Sequence, residues 1–275
     1  MVTGLMEQLK QAVSSMGVSP IFLPVKYQIW ARRPCYNKIN LMKSTVDEIR
    51  KRFDNEVERF SVLETGQVAT MDAPLVLDLI ATAAAGATPS ARRMLDIGCG
   101  AGNYTLKLLQ RMPGLDVTLI DLSRPMLERA QQRISAVSKA KIELLQTDIR
   151  EAELGEGRFD IIVAAAVLHH LRGDEEWRSV FRKLHRALSP GGSLWISDMV
   201  EHTFPAVQAD MKTRWGKYLA GLKGDEYRRT VFEYIEKEDT PRSFMFQVDT
   251  MREAGFREIE LLHKNAIFAA FGGMK

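Results

Sequence analysis

Three glycines at alternate positions, Gly98, Gly100 and Gly102, follow the short apolar segment Met94–Ile97. Glycine lets backbone approach a ligand closely and permits positive φ in a tight turn. We expect a helix to begin after them, with its first N–H groups pointing at the ligand. Asp96, two residues before the first glycine, would repel a pyrophosphate and attract an ammonium group. The G-x-G-x-G spacing also differs from the dinucleotide pattern G-x-G-x-x-G, so a nicotinamide dinucleotide fits poorly.

Short apolar strands alternate with helical segments between residues 94 and 198, which predicts an α/β fold with a doubly wound parallel sheet. Such a sheet binds its ligand at the carboxyl ends of the strands, beside the first strand. Asp96, Asp121 and Asp148 each lie near such a strand end. The three acids are therefore candidate ligand contacts, although acids after strands are also ordinary helix caps.

The segments outside this alternation are predicted to be of other kinds. Residues 1–43 form an N-terminal arm of uncertain order, and residues 44–275 form the main domain, which begins with two helices before the first strand. Residues 201–247 carry helical apolar stripes without a strand signal, so we expect a helical insertion that caps the substrate. The last two strands, Phe256–Leu262 and Ala266–Phe271, have so short a connection that they must be antiparallel.

Five motifs together resemble class I S-adenosylmethionine (SAM)-dependent methyltransferases, over roughly residues 90–200 and more loosely over 45–275. The motifs are Leu95-Asp-Ile-Gly-Cys-Gly-Ala-Gly, Ile120-Asp-Leu-Ser, Phe159-Asp-Ile-Ile, Val167-Leu-His-His-Leu and Leu188-Ser-Pro-Gly-Gly-Ser-Leu. The resemblance implies a Rossmann-like sheet of strand order 3-2-1-4-5-7-6 with strand 7 antiparallel. It also implies SAM as cofactor, S-adenosylhomocysteine as product, and in-line methyl transfer to oxygen or nitrogen of a small molecule.

The resemblance gives each strand-end acid a task on SAM. Asp121 would accept hydrogen bonds from both ribose hydroxyls, since a carboxylate has lone pairs for two donors. Asp148 would accept the adenine amino group, and Ile149 would contact the ring. Asp96 would attract the methionine ammonium or hold the glycine loop. The complete set of expected cofactor contacts is Asp96, Gly98, Gly100, Gly102, Asp121, Leu122, Asp148, Ile149 and Ala164.

The methyl acceptor is less clearly indicated. His169 and His170 lie near the expected methyl position, so one of them is a candidate general base; the alternative is a histidine that packs behind the cofactor. The insertion offers aromatic residues and several arginines, among them Arg228, Arg229 and Arg242. At least one arginine is expected to face the site and bind an anionic group; the alternative is that these arginines lie on a solvated helix face. Strand four is followed by alanines rather than the Asn/Asp-Pro-Pro-aromatic motif of nucleobase amino methylation.

Two alternative functions remain open. Phe53-Asp-Asn-Glu-Val57 and Tyr227-Arg-Arg229 loosely resemble carboxy-SAM synthases, in which case Arg229 would pair with a carboxylate on the cofactor. The second alternative is a non-catalytic SAM-binding or regulatory protein. It would use the aromatic and basic residues of segment 26–38 to hold a partner. We favour an arm that packs on its own domain or on a second copy, as in a homodimer.

Composition narrows the class of protein. A net charge of +3 spread over 275 residues argues against a nucleic-acid partner without excluding one. No apolar run is long enough for a transmembrane helix, and no signal peptide is apparent, so we expect a cytoplasmic protein without membrane contact. Its two cysteines, Cys35 and Cys99, are too few for a disulfide scaffold. No metal-ligand spacing is apparent, and we expect no metal.

Overall fold

The computed structural model describes residues 43–62 and 66–275. The predicted arm, apart from its last residue, lies outside the described residues. The helices are α1 Val46–Asp54, α2 Val57–Ser61, α3 Ala73–Ala87, α4 Asn103–Arg111, α5 Arg124–Ser135, α6 Asp174–Ala187, α7 Pro205–Glu238 and α8 Phe244–Ala254. The strands are β1 Arg93–Ile97, β2 Asp116–Asp121, β3 Ile142–Gln146, β4 Phe159–Ala165, β5 Leu188–Met199, β6 Arg257–Asn265 and β7 Phe268–Met274.

The strands form one sheet in the order β3-β2-β1-β4-β5-β7-β6, which confirms the predicted order. β1 is parallel to both β2 and β4, while β7 runs antiparallel to β5 and β6. The chain reverses its direction of winding between β1 and β4. Because crossover connections on the two sides of this point diverge, the strand ends leave a crevice there.

Alternate residues of the central strands enter separate cores on the two faces of the sheet, as expected from the two-residue period of a strand. Leu95, Ile162 and Ile196 pack on one face, against α6 and α8. Met94 and Ile161 pack on the other, against α3, α4 and α5. The sheet is therefore covered on both faces, and ligands reach it at its carboxyl edge.

Element boundaries differ from expectation at the hairpin. β6 continues to Asn265, so the predicted connection 263–265 is strand, and the turn is formed by Ala266 and Ile267. Both turn residues are buried against α7 and β7, which explains why apolar residues occupy a turn. Gly255 ends the preceding helix with φ +106°, a conformation that favours glycine.

The long helix α7 contains a break that the sequence stripes do not predict. Lys223 and Gly224 have non-helical dihedral angles, φ −147° and +83°. Trp215 and Leu219 before the break and Val231 after it are buried in the same apolar cluster, which also includes Phe268 of β7. The break thus lets both halves of α7 pack on the end of the sheet. No helix in the described part of the chain has the length and apolarity needed to cross a membrane.

Candidate functional site

A cleft lies at the carboxyl ends of β1, β2, β4 and β5. It is bounded by the glycine loop on one side and by α1, α2 and the end of α7 on the other. The expected site residues that line it are Asp96, Gly98, Gly100, Asp121, Leu122, Asp148, Ile149, His169 and His170. Gly102, Ala164 and Arg229, which were expected to contact ligand, do not line the cleft.

The three glycines have positive φ but different surroundings. A Cβ on Gly98 would lie 2.7 Å from the Val167 side chain, and one on Gly102 would lie 3.2 Å from Cβ of Ala130. A Cβ on Gly100 would meet no atom within 4 Å. Gly98 and Gly102 therefore allow tight packing within the protein. Gly100 leaves open space in the cleft, as a ligand in contact with the loop requires.

Asp121 connects the end of β2 to the glycine loop. One carboxylate oxygen accepts the Gly100 N–H (2.9 Å) and the other accepts the Ser123 N–H (2.9 Å). Burial raises the pKa of Asp121 to about 6. Because a carboxylate oxygen can accept two hydrogen bonds, each oxygen retains acceptor capacity toward the cleft. This geometry suits a vicinal diol such as ribose.

Asp96 lies beneath the loop and is almost fully buried. Its carboxylate accepts a hydrogen bond from Thr105 Oγ (2.7 Å), which joins β1 to the first turn of α4. Burial raises the pKa of Asp96 to about 7. An ammonium group in the cleft would favour the ionised form. The two roles considered for Asp96, loop support and cation attraction, are therefore compatible.

Asp148 is engaged by a neighbouring residue. Its two oxygens accept from Arg150 Nε (2.9 Å) and Nη2 (2.6 Å), and one also accepts the Arg150 N–H (2.8 Å). Burial alone would raise the pKa of Asp148, but these hydrogen bonds lower it. An adenine amino group would have to share a carboxylate that is already oriented by Arg150. Ile149 is buried beside it in the cleft wall.

Ala164 was expected to contact the cofactor but is fully buried in the sheet, between Ile97 of β1 and Ile196 of β5. The wall of the cleft begins one residue later, at Ala165, and continues through Ala166, which has φ +53°. The prediction was wrong by one residue because successive side chains of a strand point to opposite faces.

His169 is held between two acids. Its Nδ1 hydrogen-bonds Asp198, and its Nε2 lies 3.6 Å from Asp239. Burial lowers the pKa of the ring, but the two carboxylates outweigh this effect and raise it to about 9. With one ring nitrogen bonded to Asp198 and the other facing Asp239, His169 is poorly placed to take a proton from an acceptor. This geometry favours the alternative of a positioned histidine.

His170 has a more open environment. Its Nδ1 lies 3.2 Å from Asp239, and its ring makes an edge contact with Phe53, with centroids 6.2 Å apart. The ring lies against that of His169, with centroids 4.3 Å apart. His170 lines the cleft and is only partly buried, so it is the more accessible of the two histidines.

Helices α1 and α7 are joined over the cleft by an ion pair. Arg52 donates to both carboxylate oxygens of Glu238, from Nε (2.9 and 3.1 Å) and Nη2 (2.5 Å). The guanidinium also lies 4.2 Å from the Phe53 ring centroid and 5.0 Å from that of Tyr234. The side of the cleft formed by α1 and the end of α7, opposite the glycine loop, is therefore walled by aromatic rings and closed by an ion pair. It is called the acceptor side below.

The arginines of the insertion do not face the cleft, so the expectation that at least one would do so was wrong. Arg229 is exposed, and Arg228 pairs with Asp225 (3.2 Å). Arg242 is buried and donates to Asp174 (2.8 Å). The arginines that line the cleft are Arg52, Arg59 and Arg150, none of which comes from residues 201–247.

Three site residues were not identified as such from the sequence. Asp198 is the next-to-last residue of β5, and its position near a strand end was a usable signal. Asp239 follows the long helix α7 and gave no local signal, because it is far from its partner His170 in the sequence. Arg52 gave no signal in the sequence, because nothing distinguishes it from other basic residues on the surface of a helix.

Comparison with known proteins agrees with this architecture. Residues 94–192 match a family model described as a methyltransferase domain. An uncharacterized methyltransferase of Mycobacterium bovis is 38% identical over 107 residues, which are 39% of this chain and 50% of that protein. The chain thus spans about half the length of this relative. A carboxy-SAM synthase of Shewanella piezotolerans is 26% identical over 69% of this chain and 78% of its own length.

Two solved structures illustrate the likeness in fold. A phosphoethanolamine N-methyltransferase of Haemonchus contortus, in complex with S-adenosylhomocysteine, aligns over 79% of this chain and 46% of its own, with a TM-score of 0.57 and 21% identity. The [4+2]-cyclase SpnF aligns over 85% and 97%, with a TM-score of 0.58 and 14% identity. Because the second is named a cyclase, the fold by itself does not fix the reaction.

The strand order, the glycine loop and its acids, and the matched domain lead to the same assignment. Residues 94–192 are a methyltransferase domain, and the fold around them is that of class I SAM-dependent methyltransferases, whose cofactor is SAM.

Proposed function

We propose that the protein transfers the methyl group of SAM to an oxygen or nitrogen atom of a small molecule. The observation that carries the proposal is the continuity of one cleft. The open space at Gly100 beside Asp121 leads directly to the aromatic walls and the histidines. A cofactor on the loop and an acceptor between the rings would therefore share one enclosure.

SAM, when bound, supplies a methyl carbon on a positively charged sulfur; the acceptor atom bonds to this carbon as the carbon–sulfur bond breaks, and the bonding electrons return to sulfur. The chain's own residues contribute mainly by alignment, which can supply about 7–11 kcal/mol of the barrier. Asp121 would hold the ribose, and Gly100 would admit the amino-acid part to the loop. Phe53, Phe60 and Tyr234 would hold an apolar acceptor and exclude water.

The acceptor's nucleophilic atom would lie beside His170 and Asp239. An amine acceptor can attack without a strong base once it is neutral. A hydroxyl acceptor must lose its proton, and His170 and Asp239 are polar groups on that wall of the cleft. His169 serves as a positioning residue that fixes this wall through Asp198.

A carboxy-SAM synthase is the second candidate, because a relative of that name aligns over most of its own length. The exposed position of Arg229 removes the residue first considered for binding the added carboxylate. Arg59, which lines the cleft near Phe60, is the nearer candidate for that task.

One experiment separates the two functions. Freshly purified protein is denatured, and the released small molecules are identified by mass spectrometry. SAM or S-adenosylhomocysteine supports the proposal, whereas a compound heavier by a carboxylate supports the synthase. Protein is then incubated with methyl-labelled SAM and a protein-free metabolite extract. Label in a low-molecular-weight product is expected; label found only in protein or RNA would contradict a small-molecule acceptor.

A further inference from the structure

Three potential metal ligands converge on the acceptor side of the cleft. Nε2 of His169 lies 3.6 Å from Asp239 Oδ1, and Nδ1 of His170 lies 3.2 Å from the same oxygen. One ligand atom from each of the three residues falls within 4.8 Å of the other two. Ligands of a single first-row cation, each about 2.0–2.2 Å from it, have separations of this order.

The Asp239 side chain is a buried group with unmet bonding capacity. It is only 2% exposed, and neither of its oxygens makes a hydrogen bond of normal geometry within the described residues. Burying a carboxylate without a partner is costly, so such groups are usually paired or coordinate a metal. Two imidazole nitrogens, His169 Nε2 and His170 Nδ1, lie 3.6 and 3.2 Å from its Oδ1.

Asp198 provides the outer support that a metal-binding histidine normally has. One of its oxygens accepts the Leu168 N–H (2.8 Å), the other accepts the Met199 N–H (2.7 Å), and His169 Nδ1 bonds to the latter oxygen. A carboxylate on Nδ1 keeps the proton there and leaves Nε2 as the ligand atom. The acid that orients His169 thus directs Nε2 toward Asp239.

We propose that His169 Nε2, His170 Nδ1 and the Asp239 carboxylate bind a divalent first-row cation such as Zn²⁺, Mn²⁺ or Co²⁺. Two imidazoles with one carboxylate suit these ions better than Mg²⁺ or Ca²⁺, which prefer oxygen ligands. Three protein ligands leave a coordination position open toward the cleft. The site's role rests on the proposed function: a donor atom of the acceptor would occupy this position and its proton would become more acidic.

The positive groups that face the cluster are already engaged. Arg52 is paired with Glu238 and Glu56. Arg172 donates to the Glu238 carbonyl, and Lys43 donates to the Asp239 carbonyl (2.5 Å). The alternative to a bound cation is a metal-free site. In that site a proton on His169 Nε2 would supply the positive charge between Asp198 and Asp239. The experiment must distinguish a bound cation from this protonated histidine.

Cobalt(II) provides the probe, because its visible absorption reports coordination by protein ligands. Full-length protein without a polyhistidine tag is titrated with Co²⁺ near neutral pH. We expect stoichiometric binding with ligand-field bands in the wild type, loss of these bands in Asp239→Asn and His170→Ala, and retention in His263→Gln. His263 is a matched control, because its Nε2 also contacts a carboxylate, that of Asp72 (2.9 Å), outside the cleft.

The possible results separate the cation site from the proposed function. Wild-type protein that binds SAM but gives no ligand-field bands with Co²⁺ would overturn the cation site alone. Bands that persist in both Asp239→Asn and His170→Ala would also overturn it. Failure to bind SAM would overturn the proposed function, whereas the cobalt spectrum is recorded without SAM and is read independently. Circular dichroism of each variant shows whether a loss of bands reflects unfolding.

Discussion

Asp96 and Asp121 are buried acids whose pKa values lie close to neutrality, at about 7 and about 6. Burial disfavours their charged forms in the ligand-free protein. A cofactor with an ammonium group and ribose hydroxyls interacts best with ionised carboxylates. The proposed contacts with the cofactor therefore couple its binding to ionisation of these acids, and a drop in pH is expected to oppose binding.

The coupling predicts the direction of a pH effect on cofactor affinity. As the pH falls from about 7.5 to about 5, Asp121 and Asp96 become protonated and lose the charge that favours the ribose hydroxyls and the ammonium group. The affinity for SAM should therefore fall by up to about tenfold per pH unit for each proton that binding must displace. Isothermal titration calorimetry in several buffers measures the affinity. An Asp121→Asn variant, already weaker, should show a shallower dependence. Affinity that is constant or rises on acidification would refute this coupling.

At the scale of elements, the two halves of α7 and their break shape the acceptor side of the cleft. Gly224 has φ +83° and ψ 175°, a region almost confined to glycine. Tyr234 and Ile235 in the second half line the cleft, while Trp215 in the first half reaches it from the other side of the break. A straight helix could not direct the side chains of both halves into the same cleft.

Two glycines of α7 provide a matched test of the break. A Cβ would meet no atom within 4 Å at either Gly221 or Gly224, so the substitutions differ only in backbone conformation. Gly224→Ala should lower the free energy of unfolding by about 1–3 kcal/mol because of strain. Gly221→Ala, in regular helix, should raise it by about 0.5–1 kcal/mol. Urea denaturation measures both, and shifts of the same sign would show that the break is not imposed by Gly224.

For the molecule as a whole, the parts that follow from local sequence were predicted and those that depend on packing were not. The glycine loop and Asp121 lie within one strand–turn–helix unit, so their pattern is visible in the sequence. Arg229 lies beyond the break in α7, which changes the phase of the helix. The apolar stripe before Gly224 therefore could not show which way Arg229 points.

Asp239 illustrates the same limit for the acceptor side of the cleft. It meets His169 and His170 only because α7 crosses the end of the sheet and returns to it, and no spacing in the sequence encodes that return. Two adjacent histidines without a nearby third ligand form no recognisable metal-binding pattern, so the cation site proposed above has no signal in the sequence. The sequence thus predicts the wall of the cleft formed by the glycine loop and the end of β2 better than the wall formed by α1 and the end of α7.

The most direct test of the account is calorimetric titration of SAM into wild-type protein, Asp121→Asn and Asp116→Asn. Asp116 is at the opposite, exposed end of β2 and serves as the control. We predict binding to the wild type and to Asp116→Asn with similar affinity. Asp121→Asn should bind at least about tenfold more weakly, since hydrogen bonds to a charged group contribute about 1.5–3 kcal/mol. Equal affinity of all three proteins, or no binding to the wild type, would contradict the assignment of the cleft.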